Sequence, residues 1–137
     1  MSALIEQLKS DHKTIVAVLE EVKKLGITSP QGLQKLQNAK AGLLAHLKLE
    51  DTQLYPMLRK EAEKDSKLQS TLKILATDME QISKAALDFF SKYEAGGDPI
   101  EFAKDFGRLF STLGTRIKRE ESTLYTEYEN RAGKRAA

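Results

Sequence analysis

The sequence has no cysteine and no tryptophan, and its 137 residues include only three prolines, eight glycines and two histidines. Without cysteine there can be no disulfide scaffold, thiol enzyme, zinc finger or cysteine-ligated iron–sulfur cluster; the lack also accords with a cytoplasmic protein. No apolar run approaches the roughly 18 residues of a membrane span, so no membrane association is expected. The start, Met1 to Glu6, lacks a basic region, and Glu6 interrupts any apolar stretch, which argues against a secretory signal. The 22 basic and 20 acidic residues are intermixed and leave a net charge of +2. There is no basic stripe, so nucleic acid is not an expected partner. A Ser-His-Asp set, a glycine-rich phosphate loop and a zincin motif are also missing.

What the chain does have is helical periodicity between sparse breaks. In Gly26-Ile27-Thr28-Ser29-Pro30, serine and proline stand as N-cap and first helical residue. Asp98-Pro99 repeats the arrangement after Gly96-Gly97, and Asp65 or Ser66 can cap a helix between them. The breaks predict helices over 2–25, 30–63, 66–94 and 99–131, with Gly133 ending the last. Residues 1–132 form one domain in this reading, and 133–137 a short, frayed basic tail. Each helix carries an apolar stripe at three-and-four spacing. The stripes are Ile5, Leu8, His12, Ile15, Leu19, Val22; Leu36, Ala39, Leu43, His46, Glu50, Leu54, Met57; Leu68, Leu72, Leu75, Met79, Ile82, Ala86, Phe89; and Phe106, Leu109, Leu113, Arg116, Glu120, Leu124. Four amphipathic helices with short connections predict an all-α, up-down-up-down four-helix bundle, with Pro56 kinking the second helix. The stripes are compatible with a monomer or a homodimer and indicate no protein partner.

The two halves resemble each other. Leu8 to Ile15, with Asp11 and His12, aligns with Leu75 to Ile82, with Asp78 and Met79. His46 to Tyr55 aligns with Arg116 to Tyr125, so Glu50 matches Glu120. A helical hairpin is duplicated, and only the first copy has histidines.

Five polar residues lie on the apolar stripes: His12, His46, Glu50, Arg116 and Glu120. Burying such groups unpaired costs several kcal/mol per ion (order of magnitude), so they need compensation. His46 and Glu50 are four residues apart and share a helix face, as do Arg116 and Glu120. Imidazole nitrogen and carboxylate oxygen suit iron, zinc or manganese, and bundles build such sites from inward-facing side chains. His12 and His46 are then terminal ligands, with Glu50 and Glu120 terminal or bridging. The alternative is a metal-free cluster in which Arg116 and one protonated histidine neutralise the two glutamates. Tyr55 and Tyr125 flank the stripe and read as half-exposed packing residues; Lys118 to Glu121 reads as a solvated face.

Ser10-Asp11-His12 on the first helix, followed by His-x-x-x-Glu-Asp-x-x-Leu-Tyr-Pro from His46 to Pro56, resembles the hemerythrin-like (HHE) cation-binding family. Glu120-Glu121-x-x-Leu124-Tyr125 echoes that motif in the second half. The resemblance covers most of the chain. It implies a four-helix bundle holding a non-haem di-iron centre, with roles in oxygen binding or sensing, iron handling, and stress response. The family pattern has histidine on the third helix and His-x-x-x-Glu on the fourth, where this chain has Met79 and Arg116. His12, His46, Glu50 and Glu120 carry over as metal ligands; the nitrogen ligands of a second metal do not. A guanidinium stays protonated and repels a second dication. The expectation is a reduced site for iron, or zinc in its place, in a non-enzymatic protein; it is mononuclear or dinuclear, and one metal is easier to balance than two. Its small ligand is O2 or another diatomic. Carrying O2 as peroxide takes two electrons and one ferrous ion gives one, so sensing, storage or a stress-linked role suits the half-site better. An oxidase-like or peroxide-consuming enzyme ranks behind these, because no further general acid or base is evident.

Overall fold

The computed structural model describes residues 2–136, with side chains described as far as residue 131. Helix α1 is Ala3–Leu25. Helix α2 runs as Pro30–Leu49, passes through a π turn at Glu50–Leu54, and continues as Tyr55–Ala62. Helix α3 is Ser66–Tyr93. Helix α4 runs as Pro99–Arg119, a second π turn at Glu120–Leu124, and Tyr125–Ala136. Short connections turn each helix back on the one before, giving a four-helix bundle with no strand among the described residues.

The capping chemistry is as the sequence indicates. Ser29 Oγ accepts from Gly32 N–H, and Asp98 accepts from Glu101 N–H. At the third break the cap is Asp65 rather than Ser66: its carboxylate accepts from Lys67 and Leu68 N–H. The last helix does not end at Gly133. Its backbone stays helical to Ala136. Ala137, the last residue of the expected tail, lies outside the described residues.

The apolar stripes are buried as two separate clusters. One is built around Ile15, Leu19, Leu36, Leu43, Ile82, Phe89, Phe106 and Leu113. The other is built around Ile5, Leu8, Leu54, Leu58, Leu72, Leu75 and Leu124. Between them lies a buried polar layer of His12, His46, Glu50, Arg116 and Glu120. Each stripe enters the layer from one cluster and leaves it into the other, as α1 does from Leu8 through His12 to Ile15.

The π turns correct one core assignment. A π turn takes up one residue more than an α turn, so the buried face advances by one position beyond it. Past Glu50, Tyr55 and Leu58 are buried and Met57 is only half-buried. Past Glu120, Tyr125 joins the core on the same account. Proline does not cause the turn: Pro56 is the second residue of the α segment after the first π turn, but Thr126 stands at the matching place after the second. No helix among the described residues is long and apolar enough to cross a membrane.

Gly32 packs on the α1–α2 connection so closely that a β-carbon there would lie 1.8 Å from the Gly26 carbonyl oxygen. Gly32→Ala must displace that backbone and is expected to cost about 1–3 kcal/mol, the usual penalty of overpacking. Urea denaturation of the two proteins measures the difference.

Candidate metal centre

The two histidines come from different helices and meet inside the polar layer. His12 Nε2 and His46 Nε2 are 3.1 Å apart, and both rings are buried. Their other nitrogens are already committed. His12 Nδ1 lies 2.8 Å from Glu121 Oε2, and His46 Nδ1 lies 3.2 Å from Asp11 Oδ2. An ionised carboxylate only accepts hydrogen bonds, so each Nδ1 carries the proton and donates. With each Nδ1 protonated, the two Nε2 atoms face each other, and the space between them takes one positive charge, either a shared proton or a metal ion.

Acidic oxygens close the same space. Glu120 Oε1 lies 3.9 Å from His12 Nε2, and Glu50 Oε2 lies 3.6 Å from His46 Nε2. Donor atoms of His12, His46 and Glu120 all fall within 4.8 Å of one another. Glu50 stands at the margin of this group, one helical turn from His46. Three of the four residues expected from the sequence, His12, His46 and Glu120, thus come together, and Glu50 lies beside them against His46.

The tyrosines are not the half-exposed packing residues that the sequence suggests. Tyr125 is buried, and its hydroxyl is 2.9 Å from Glu50 Oε2, 3.1 Å from Glu120 Oε2 and 3.1 Å from His12 Nε2. The hydroxyl thus bridges both glutamates and His12. Tyr55 is also buried, and its hydroxyl accepts from Arg116 Nη2 at 2.8 Å. Arg116 further donates from Nη1 to the Leu75 carbonyl at 2.9 Å, and its Nε lies 3.4 Å from Glu120 Oε1. Glu121, read as part of a solvated face, instead orients His12. The π turn is the reason: it rotates the chain just past Glu120, so Glu120 and Glu121 both face α1. Nothing in residue spacing announces a π turn; only its recurrence at Glu50-Asp51 and Glu120-Glu121, in matching halves, is a usable signal.

The layer is short of positive charge. Burial, followed by the neighbouring Glu120 carboxylate, pushes the Glu50 carboxyl up to about 10. Burial also lowers the affinity of His46 for a second proton, against the opposing pull of Glu120. Tyr125 is held far above the usual phenol range by burial and the two glutamates. Glu50 Oε1 is buried with no hydrogen-bond partner. Glu50 and Glu120 against Arg116 and one protonated histidine would be neutral; the carboxylates of Asp11 and Glu121 on the far sides of the imidazoles add to the negative side.

Beside the imidazoles is a cavity of about 20 Å³, walled by Ile15, Leu43, Met79, Ile82, Leu113 and Arg116 among others. That is room for one water-sized molecule.

A carboxyl whose folded-state pKa is raised stabilises the fold only while it is protonated. In metal-free protein, the contribution of Glu50 is complete below its unfolded value of 4.5 and is lost as pH rises towards 10. Stability of the chelator-treated protein should therefore fall between pH 6 and 9, by at most about 1.4 kcal/mol per pH unit for one proton. Glu50→Gln should flatten that slope. Urea denaturation across the pH range reads both.

A family model described as the Hemerythrin HHE cation binding domain matches residues 3–128. No curated protein and no solved structure matches the chain. With the bundle and the buried histidine–glutamate cluster in place, that match covers nearly every described residue, and the chain belongs to the hemerythrin HHE cation-binding domain family.

Proposed function

We propose that this protein binds one divalent transition-metal ion, iron in the first place and zinc as its substitute, through His12, His46, Glu120 and Glu50. The observation that carries the reading is the pair of Nε2 atoms at 3.1 Å, each imidazole held by a carboxylate on its far side. Two such nitrogens need a positive charge between them, and a metal ion supplies it without protonating a buried ring. Carboxylate–histidine pairs are also how proteins orient metal-binding imidazoles and raise their basicity.

The residues fit a cation of this class. Two imidazole nitrogens and carboxylate oxygens form a mixed donor set that iron and zinc accept, and Glu50 Oε1 is an orphaned buried oxygen with no protein donor. Such a metal, when bound, supplies Lewis acidity and, as iron, one-electron redox chemistry. The chain's own groups do the rest. Asp11 and Glu121 hold the rings in one tautomer, Tyr125 holds the two glutamates together, and the apolar cavity walls exclude bulk water and admit a molecule of diatomic size. No side chain in the cavity is placed to serve as a general acid or base beyond the donor set itself. With this site we propose a non-enzymatic, cytoplasmic role in oxygen or redox sensing, iron handling or stress response. The alternative, a metal-free interaction module with Arg116 as the internal counter-ion, accounts for Glu120. With one histidine protonated it also spans the 3.1 Å gap by a hydrogen bond, but it leaves Glu50 Oε1 without a donor.

Protein purified without chelators or a polyhistidine tag should contain about one equivalent of metal, or take up one ferrous ion anaerobically. His12→Ala and His46→Ala should each abolish stoichiometric binding. Asp11→Asn and Glu121→Gln should retain it with affinity reduced about 10–100-fold, as for other partners of metal-bound histidine. Elemental analysis and competition with a chromophoric chelator measure these effects. A wild-type protein that stays metal-free after ferrous and zinc loading contradicts the proposal.

A further inference from the structure

The duplicated hairpin repeats its contacts as well as its residues. In the first half, Asp11 Oδ2 takes the Nδ1 proton of His46 at 3.2 Å. In the second, the matching Asp78 Oδ2 lies 3.5 Å from Arg116 Nη1. The two tyrosines each reach across to the other half. Tyr125 bonds to Glu50 and approaches His12; its counterpart Tyr55 bonds to Arg116 Nη2. The two glutamates pair off in the same way, Glu50 with His46 at 3.6 Å and Glu120 with Arg116 at 3.4 Å. Glu121 holds His12, and its counterpart Asp51 lines a surface groove together with Met79, the counterpart of His12. Every member of the histidine site thus has a positional equivalent, and the guanidinium of Arg116 stands among those equivalents.

We infer that Arg116 is the second cation of this bundle: its guanidinium fills the half of the polar layer that duplication would otherwise give to a metal ion, and it limits the chain to one metal. This rests on the proposed metal seat at His12 and His46. Arg116 is suited to the part. It is buried, permanently charged, and anchored at Leu75, Tyr55 and Asp78 as well as at Glu120. The first three of these lie on α2 and α3, outside the metal seat, so the charge is held whether or not that seat is filled. Because Glu120 faces both His12 and Arg116, the guanidinium also positions that carboxylate for the first seat. Met79 completes the exclusion, since a thioether is a poor ligand for these metals.

The test is zinc stoichiometry, by elemental analysis after exhaustive zinc loading and gel filtration, in the wild type and in Met79→His/Arg116→His. The double variant puts imidazoles opposite Asp51 and Asp78, as His12 and His46 stand opposite Glu121 and Asp11. One zinc in the wild type and two in the variant is the expected result. Two in the wild type, or no gain in the variant, overturns the inference. None in the wild type with one in the variant sinks the His12–His46 seat and leaves the role of Arg116 standing. Should the variant fail to fold, arginine side-chain NMR of the wild type decides. Slowly exchanging Arg116 N–H signals that persist after zinc loading are expected, and their loss on zinc binding overturns the inference.

Discussion

Five ionisable side chains buried between two apolar clusters set the terms for the rest of the molecule. Carboxylates and imidazole lone pairs cannot be left uncompensated in so dry a layer, because desolvation penalises each unpaired charge by several kcal/mol (order of magnitude). The chain answers with hydrogen-bonding partners from every helix: Asp11 on α1, Tyr55 on α2, Asp78 on α3, and Glu121 and Tyr125 on α4. The helices are locked in register by this layer as much as by the leucines and phenylalanines on either side.

Each half builds its contribution with one backbone device. The π turn after Glu50 and after Glu120 adds a residue to the turn, so that glutamate, the following acidic residue and the tyrosine beyond can all be used at one level of the bundle. An uninterrupted α-helix would turn Tyr55 and Tyr125 away. A π turn strains the helical ladder, and its appearance twice at matched positions ties it to the polar layer rather than to local sequence. Asymmetry then comes from two side chains, Met79 for His12 and Arg116 for His46. They leave one half able to ligate and the other already carrying a charge.

Much of this was legible in the residues. Three-and-four spacing located the four helices and placed His12, His46, Glu50, Arg116 and Glu120 in the core, because burial follows helical phase whatever the side chain's polarity. Proline and its N-cap partners fixed two of the three turns. The π turns were not legible, since Glu-Asp-Thr-Gln-Leu and Glu-Glu-Ser-Thr-Leu are ordinary helical sequences. The positions beyond them were misphased for that reason: Met57 stood in for Leu58, the tyrosines were placed at the surface, and Glu121 was assigned to solvent. Asp78 was visible only as a member of a repeat, and Asp11 as that and as the neighbour of His12 in a motif, with no partner indicated for either. Their partners lie on other helices, and cross-helix pairing cannot be read from spacing within one segment.

The central claim is that His12 and His46 present two unprotonated Nε2 atoms to one cation. Histidine side-chain nitrogen-15 NMR of the uniformly labelled wild type, metal-free and then titrated with zinc, addresses it most directly. With only two histidines in the chain, the spectrum has no competing signals. The account predicts that both rings in the zinc-loaded protein keep their proton on Nδ1 and that both Nε2 resonances move together, complete at one equivalent. Nε2 signals that ignore zinc, or rings bearing their proton on Nε2, would contradict it.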